Sequence, residues 1–104
     1  MQLEKRFQFA SLSTATMRNE DLIPAFLFFL EQRDKDGYND IMSDSDYANI
    51  INQEWYDCET AYWLLDYLFD RLNEIAPEEC YFGSHPGDGC DYGFWPHEDS
   101  DLWE

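Results

Sequence analysis

Apolar and polar positions alternate over residues 4–11, with Lys5, Phe7 and Phe9 on one side and Arg6 and Gln8 on the other. That period of two predicts a short strand. A small polar run follows over residues 11–16, and then Asn19, Glu20 and Asp21 precede an apolar block. This predicts a helix capped by Asp21 and running to Arg33. Pro24 falls at its third position, where a missing N–H is harmless because first-turn donors have no intrahelical partner. Ile23, Phe26, Leu27 and Leu30 share one face, but Leu22, Phe28 and Phe29 lie elsewhere on the cylinder, which predicts burial on more than one side.

Residues 34–46 are rich in Asp, Gly, Asn and Ser and predict a loop. Ser45 or Ser43 then caps a short helix in which Tyr47, Ile50, Ile51 and Trp55 share a face. A longer helix follows, with Asp57 as cap and Glu59 in the positive first turn. Its continuous apolar stripe is Ala61, Leu64, Leu65, Leu68, Leu72 and Ile75, and Pro77 stops it. On its outer side Tyr62, Asp66, Asp70 and Glu74 recur every fourth residue and stack in one row at about 6 Å per step. Like charges at this spacing repel by a few tenths of a kcal/mol per pair, and Arg71 is the only base near them. So one-sided a choice points to a use for the negative potential itself.

After Pro77, the aromatic stretches Cys80-Tyr81-Phe82-Gly83 and Cys90-Asp91-Tyr92-Gly93-Phe94-Trp95 flank Ser84-His85-Pro86-Gly87-Asp88-Gly89. This is the pattern of a β-hairpin. A lone hairpin is marginal in water, so it is expected to pack on the long helix or to take a third strand from residues 4–11. The expected fold is α+β. Two to three helices pack on a small antiparallel sheet made of the C-terminal hairpin and an N-terminal strand, all in a single domain over residues 1–104. The acidic tail from His97 onward ends in Leu102 and Trp103, which predicts that it half-docks.

Charge changes this picture most. Residues 1–35 carry five acids and five bases, whereas residues 36–104 carry eighteen acids against Arg71 alone, so the net charge of −17 lies wholly in the second part. A dense carboxylate field repels nucleic acid and anionic lipid and steers in basic surfaces. Low hydropathy at high charge is also a signature of disorder, but eight Phe, seven Tyr and four Trp indicate a folded chain. Nineteen aromatics exceed what one small core takes in, and Tyr47, Trp55, Tyr56, Tyr62, Trp63, Tyr67, Tyr92, Trp95 and Trp103 lie close to acids in sequence. As a group they favour a binding surface, because Tyr and Trp anchor interfaces and, beside carboxylates, receive Arg by stacking. The longest apolar run, residues 22–30, is far short of the roughly 20 residues that span a bilayer. The first six residues lack the apolar stretch of a signal peptide, and three cysteines, Cys58, Cys80 and Cys90, suit free thiols in a reducing compartment, with a Cys80–Cys90 pair as the alternative. A cytoplasmic location in a bacterial host cell is expected, with no membrane association.

Candidate chemistry adds little. Cys80, His85, Cys90 and His97 are zinc-ligand types but lack a Cys-x-x-Cys-like spacing. Gly87, Gly89 and Gly93 imitate a phosphate loop, yet Asp88 and Asp91 between them repel phosphate and no Lys follows. Asp34, Asp36, Asp40, Asp44 and Asp46 offer oxygen ligands for calcium without the twelve-residue loop pattern or its closing Glu. A Cys or Ser nucleophile paired with His85 or His97 has no supporting sequence context. Neither a cofactor nor an enzymatic activity is expected.

In size, in its −17 charge and in the row Asp66, Asp70 and Glu74, the chain resembles the small acidic inhibitors of phages and mobile elements, of anti-restriction and anti-CRISPR type. Those proteins mimic the charge of DNA and occupy the nucleic-acid channel of a host defence complex. They share no common sequence or fold. Separately, Thr16-Met17-Arg18-Asn19-Glu20-Asp21-Leu22-Ile23-Pro24-Ala25-Phe26 and Glu79-Cys80-Tyr81-Phe82-Gly83-Ser84-His85-Pro86-Gly87-Asp88-Gly89 are similar to stretches in small plasmid and phage proteins, a similarity that brings no activity with it. The resemblance implies a basic nucleic-acid-binding protein or complex as partner and competition with DNA as mechanism. The contact set then expected is Asp34, Asp36, Asp40, Asp44 and Asp46, then Asp57, Glu59, Tyr62, Asp66, Asp70 and Glu74 on the long helix, and Glu98, Asp99 and Asp101 in the tail. An acidic module binding a basic partner unrelated to nucleic acid is the alternative.

Overall fold

A computed structural model describes residues 2–103, and over them the chain is α+β: four helices packed on a three-stranded antiparallel sheet. In chain order these are β1 (Ser11–Ser13), α1 (Asn19–Arg33), α2 (Lys35–Ser43), α3 (Ser45–Gln53), α4 (Glu59–Glu74), β2 (Cys80–His85) and β3 (Asp88–Pro96). Short 3₁₀ turns cover Lys5–Phe7 and Asp101–Trp103. The helix count is one higher than expected because the acidic segment is helical.

The hairpin forms where the sequence places it. β2 and β3 pair from Cys80↔Pro96 to His85↔Asp88 around Pro86 and Gly87, and the strand order is β1-β3-β2. The third strand comes from the N-terminal region but is shifted along the chain. Residues 5–7 close into a 3₁₀ turn and Phe9 takes a left-handed φ of 65°, so an extended run over residues 4–11 is broken. Pairing starts only there, with Phe9 N–H donating to the Phe94 carbonyl at 2.9 Å and Phe94 N–H to that of Ala10 at 3.0 Å. It continues as Ser11↔Gly93 and Ser13↔Tyr92.

α1 starts two residues before the expected cap, after Arg18, and ends at Arg33 as expected. Asp21 therefore lies inside the first turn, where its carboxylate complements the helix dipole and accepts from the Thr16 hydroxyl at 2.7 Å. Pro24 becomes the sixth helical residue and has no N–H to give the Glu20 carbonyl, which removes one helical bond. Leu22, Ile23, Phe26, Leu27 and Leu30 are buried and Phe29 half-buried, so the helix is covered on more than one side while Phe28 points to solvent.

Residues 35–43 form α2, not the loop that their Asp, Gly and Asn content predicts. Tertiary contacts override weak local propensity here. Asp34 caps the helix by accepting from Gly37 N–H at 3.3 Å, and Ile41 anchors it in the core. Asp44, not Ser43 or Ser45, caps α3, accepting from the amides of Asp46 at 3.0 Å and Tyr47 at 3.3 Å. Cys58 rather than Asp57 holds the cap position of α4, without a side-chain bond. The α4 stripe Ala61, Leu64, Leu68, Leu72 and Ile75 is buried and Leu65 partly so. At the centre of the core Phe26 meets Phe82, Phe69 and Tyr92 edge-on at 5.0, 5.5 and 6.1 Å. The tail is tied to the start of β2 through His97 N–H donating to the Glu79 carbonyl at 3.0 Å, and Leu102 is half-buried. The docking expected of the Trp103 side chain lies outside what is described.

Candidate functional site

The aromatics divide once the fold is known. Tyr92 and Trp95, counted among surface candidates from sequence, are core residues of β3, and Tyr47 and Tyr56 are half-buried. Trp55, Tyr62 and Trp63, each 57% exposed, and Tyr67 at 38% remain outside with Met17. Tyr62, Trp63 and Tyr67 share the outward side of α4 with Glu59, Asp66, Asp70 and Glu74, all exposed, because the opposite side is spent on the Leu stripe. Aromatic and acidic side chains are thus three or four residues apart along one exposed helix face.

The connection between α3 and α4 extends this surface. α3 stops at Gln53 because Glu54 turns left-handed, with φ 58° and ψ 38°, which throws Trp55 off the α3 face it was expected to share with Tyr47, Ile50 and Ile51. Trp55 instead forms the wall of two open clefts of about 260 and 380 Å³. Asp46 and Ile50 line the first, Glu54 and Asp57 the second. A third cleft brings Asp57 and Tyr62 together with Met17, Arg18 and Glu20, and Arg18 is ion-paired with Glu20. Tyr47 lies beside Tyr67 at 6.2 Å, and burial, with Asp44, Tyr67 and Asp46 nearby, pushes its hydroxyl pKa up. Burial does the same to Tyr56, aided by Glu54.

Of the expected contact residues, Asp34 is a correction. It is buried at 6% exposure, it caps α2, and it accepts from Arg71 Nε at 2.6 Å, which holds its carboxyl below the usual carboxylate range against the opposing effect of burial. It is a structural residue and offers a partner nothing. Asp36 and Asp40 are exposed on α2, Asp44 and Asp46 at the start of α3, and Asp57 just before α4. Glu98, Asp99 and Asp101 are exposed beyond β3, where burial, assisted by Glu98, raises the Tyr81 pKa. The pair Asp34–Arg71 was missed from sequence, since nothing local marks two residues in different helices as partners.

The metal readings find no support in the geometry. Among the described residues no three of His, Cys, Asp and Glu converge as ligands. His85 packs edge-on against Trp95 at 4.7 Å and its Nδ1 accepts from Gly87 N–H at 2.8 Å, while His97 lies on Tyr81 at 5.5 Å. In the acidic segment Asp34 and Asp44 are committed to Arg71 and to backbone amides. No helix among the described residues is long and apolar enough to cross a membrane. What the exposed arrangement can do is receive cations, by charge from carboxylates and by stacking on rings. Comparison with protein-family models, with curated proteins and with solved structures finds no match for the chain.

Proposed function

We propose that the protein is an inhibitor of a nucleic-acid-binding complex of host defence, of anti-restriction or anti-CRISPR type, and that it acts as an acidic mimic of DNA. The observation that carries the reading is the exposed α4 face, Glu59, Asp66, Asp70 and Glu74, in a region whose one base, Arg71, is already engaged by Asp34 and lies 3.6 Å from Glu74. Proteins that hold DNA do so with Lys and Arg arranged along phosphates that advance about 3.4 Å along the duplex axis per strand. The α4 row advances by about 6 Å, so it reproduces the field of the phosphates and not their detail. Exposed Trp55, Tyr62, Trp63 and Tyr67 supply the discrimination that charge alone lacks.

The same aromatics favour a second reading, an acidic module for a basic protein unrelated to nucleic acid, because rings of this kind anchor protein interfaces. One experiment separates the two. The tagged protein is incubated with bacterial lysate at low salt and bound proteins are eluted first by salt and then by duplex DNA. Recovery of a nucleic-acid-binding complex displaced by DNA is the expected result. Partners that DNA does not displace overturn mimicry in favour of the second reading.

A further inference from the structure

We infer that the cleft formed by Trp55 with Glu54 and Asp57 receives an arginine side chain of the basic partner, with its guanidinium stacked on the indole and paired with these two carboxylates. The inference rests on the preceding reading for the existence of such a partner and names the group that the partner inserts.

An exposed tryptophan is significant here because its backbone is held. Trp55 N–H donates to the Ile50 carbonyl at 3.1 Å, the Trp55 carbonyl accepts from the Cys58 thiol at 3.3 Å, and the Tyr56 carbonyl accepts from Asn19 Nδ2 at 3.2 Å. The neighbouring Tyr56 ring packs on the core, so the connection is anchored on both sides of an indole that remains 57% exposed. Glu54 reaches its left-handed conformation without being glycine, a conformation that costs free energy and persists only where the surroundings enforce it. The result is an aromatic wall on an anchored backbone between two clefts, one lined by Asp46 and the other by Glu54 and Asp57.

Glu54 and Asp57 exclude phosphate, and therefore nucleic acid and anionic lipid, from this cleft and select a cation. Arginine fits better than lysine because its planar, weakly hydrated guanidinium stacks on a ring and pairs with carboxylates at its edge. The chain already uses this contact internally, with Arg6 and Arg33 over Phe7 at 4.9 and 5.2 Å. Among the described residues its own cations stack on Phe7 and Tyr38 and none on Trp55, so the indole is left for a cation from another molecule.

The test titrates the ¹⁵N-labelled protein with nona-arginine and with nona-lysine, peptides of equal charge, and follows the Trp55 indole N–H resonance. Nona-arginine is expected to bind about three-fold tighter and to shift that resonance, the gain of one exposed cation–π contact. In Trp55→Leu the arginine preference is expected to vanish while lysine affinity stays the same. Equal affinities in the wild-type protein, or an arginine preference that survives Trp55→Leu, overturn the inference. The wild-type indole shift stands as a readout even if the variant folds poorly. Failure here, with a DNA-displaceable partner still recovered from lysate, removes the arginine cleft and leaves the inhibitor reading standing. Success here without such a partner does the reverse.

Discussion

Arg71 Nε donates to Asp34 Oδ2 at 2.6 Å, joining residues 37 positions apart. The contact takes the only base of residues 36–104 and spends it on an acid from the neutral N-terminal part. Gly37 makes room for it: a Cβ there would lie 2.5 Å from Asp34 Oδ2 and 2.7 Å from Arg71 Nε. One pair thereby ties the junction of α1 and α2 to α4 and withdraws the last cation that would dilute the acidic face.

Removing this pair is expected to destabilise the fold in a graded way. Asp34→Ala loses both the α2 cap and the ion pair, a cost of about 2–4 kcal/mol, whereas Asp34→Asn keeps an acceptor for Gly37 and loses less. Arg71→Met is worse than Asp34→Asn because it leaves a buried carboxylate unpaired. The sign with pH follows from the lowered carboxyl pKa of Asp34, whose first cause is the Arg71 hydrogen bond. A depressed folded-state value gives stability that is present above the unfolded value of about 3.9 and lost as pH falls through the folded one. Urea titrations followed by circular dichroism should therefore show the gap between wild type and Asp34→Asn at pH 7 closing in that acidic window.

Gly93→Ala is expected to strip β1 from the sheet. Its Cβ would come within 2.2 Å of the Ala10 carbonyl oxygen and 2.9 Å of Ser11 Cα, and these backbone atoms have no rotamer to escape into. A loss of about 3 kcal/mol is anticipated. Amide exchange would locate it, with the Phe9 and Phe94 N–H groups, which bridge residues 9–10 to β3, losing protection first.

These positions also show what is legible in such a chain. The α4 stripe and the hairpin announce themselves, because Leu64, Leu68 and Leu72 keep the helical period and Pro86-Gly87 marks the turn. α2 does not, since Gly37 and Asn39 are poor helix formers and the helix is supported by Ile41 in the core and by the Asp34 cap, itself held by Arg71, 37 residues further on. β1 was displaced because an alternating pattern cannot reveal that Phe9 turns left-handed. Trp55 and Trp95 look equivalent in sequence, both near acids, yet one follows a helix-ending turn into solvent and the other is buried on β3, against His85 and with its indole N–H donating to the Gly83 carbonyl. For the same reason Asp34 and Asp36, two residues apart, have opposite fates: one is buried and paired, the other exposed.

The three thiols are expected to react in the order Cys58, Cys90, Cys80. Cys58 is exposed and Cys90 half-buried, while burial, assisted by Glu79, raises the Cys80 pKa and depletes its thiolate. Neutral iodoacetamide at pH 8, with mass-spectrometric mapping, is the suitable reagent, because an anionic one would be repelled by a chain of charge −17. Cys80 should label only after unfolding.

Reversing charge on α4 should separate binding from folding. Asp66 and Asp70 are exposed and one turn apart, so Asp66→Lys with Asp70→Lys exchanges one like-charge pair for another, each worth a few tenths of a kcal/mol, and leaves the core untouched. Adding Glu74→Lys is less innocent, since Arg71 Nη1 lies 3.6 Å from Glu74 and would then face a like charge. Both variants should nonetheless fold, by circular dichroism and urea midpoint, and on the proposed mimicry both should lose inhibition of a partner's DNA binding. The loss should appear chiefly in the association rate, and the dependence of affinity on salt should flatten, because fewer carboxylates then steer the encounter. A triple variant that folds and inhibits like the wild type would show that the Asp66–Asp70–Glu74 row is not the contact, and would transfer the role to the carboxylates around Trp55.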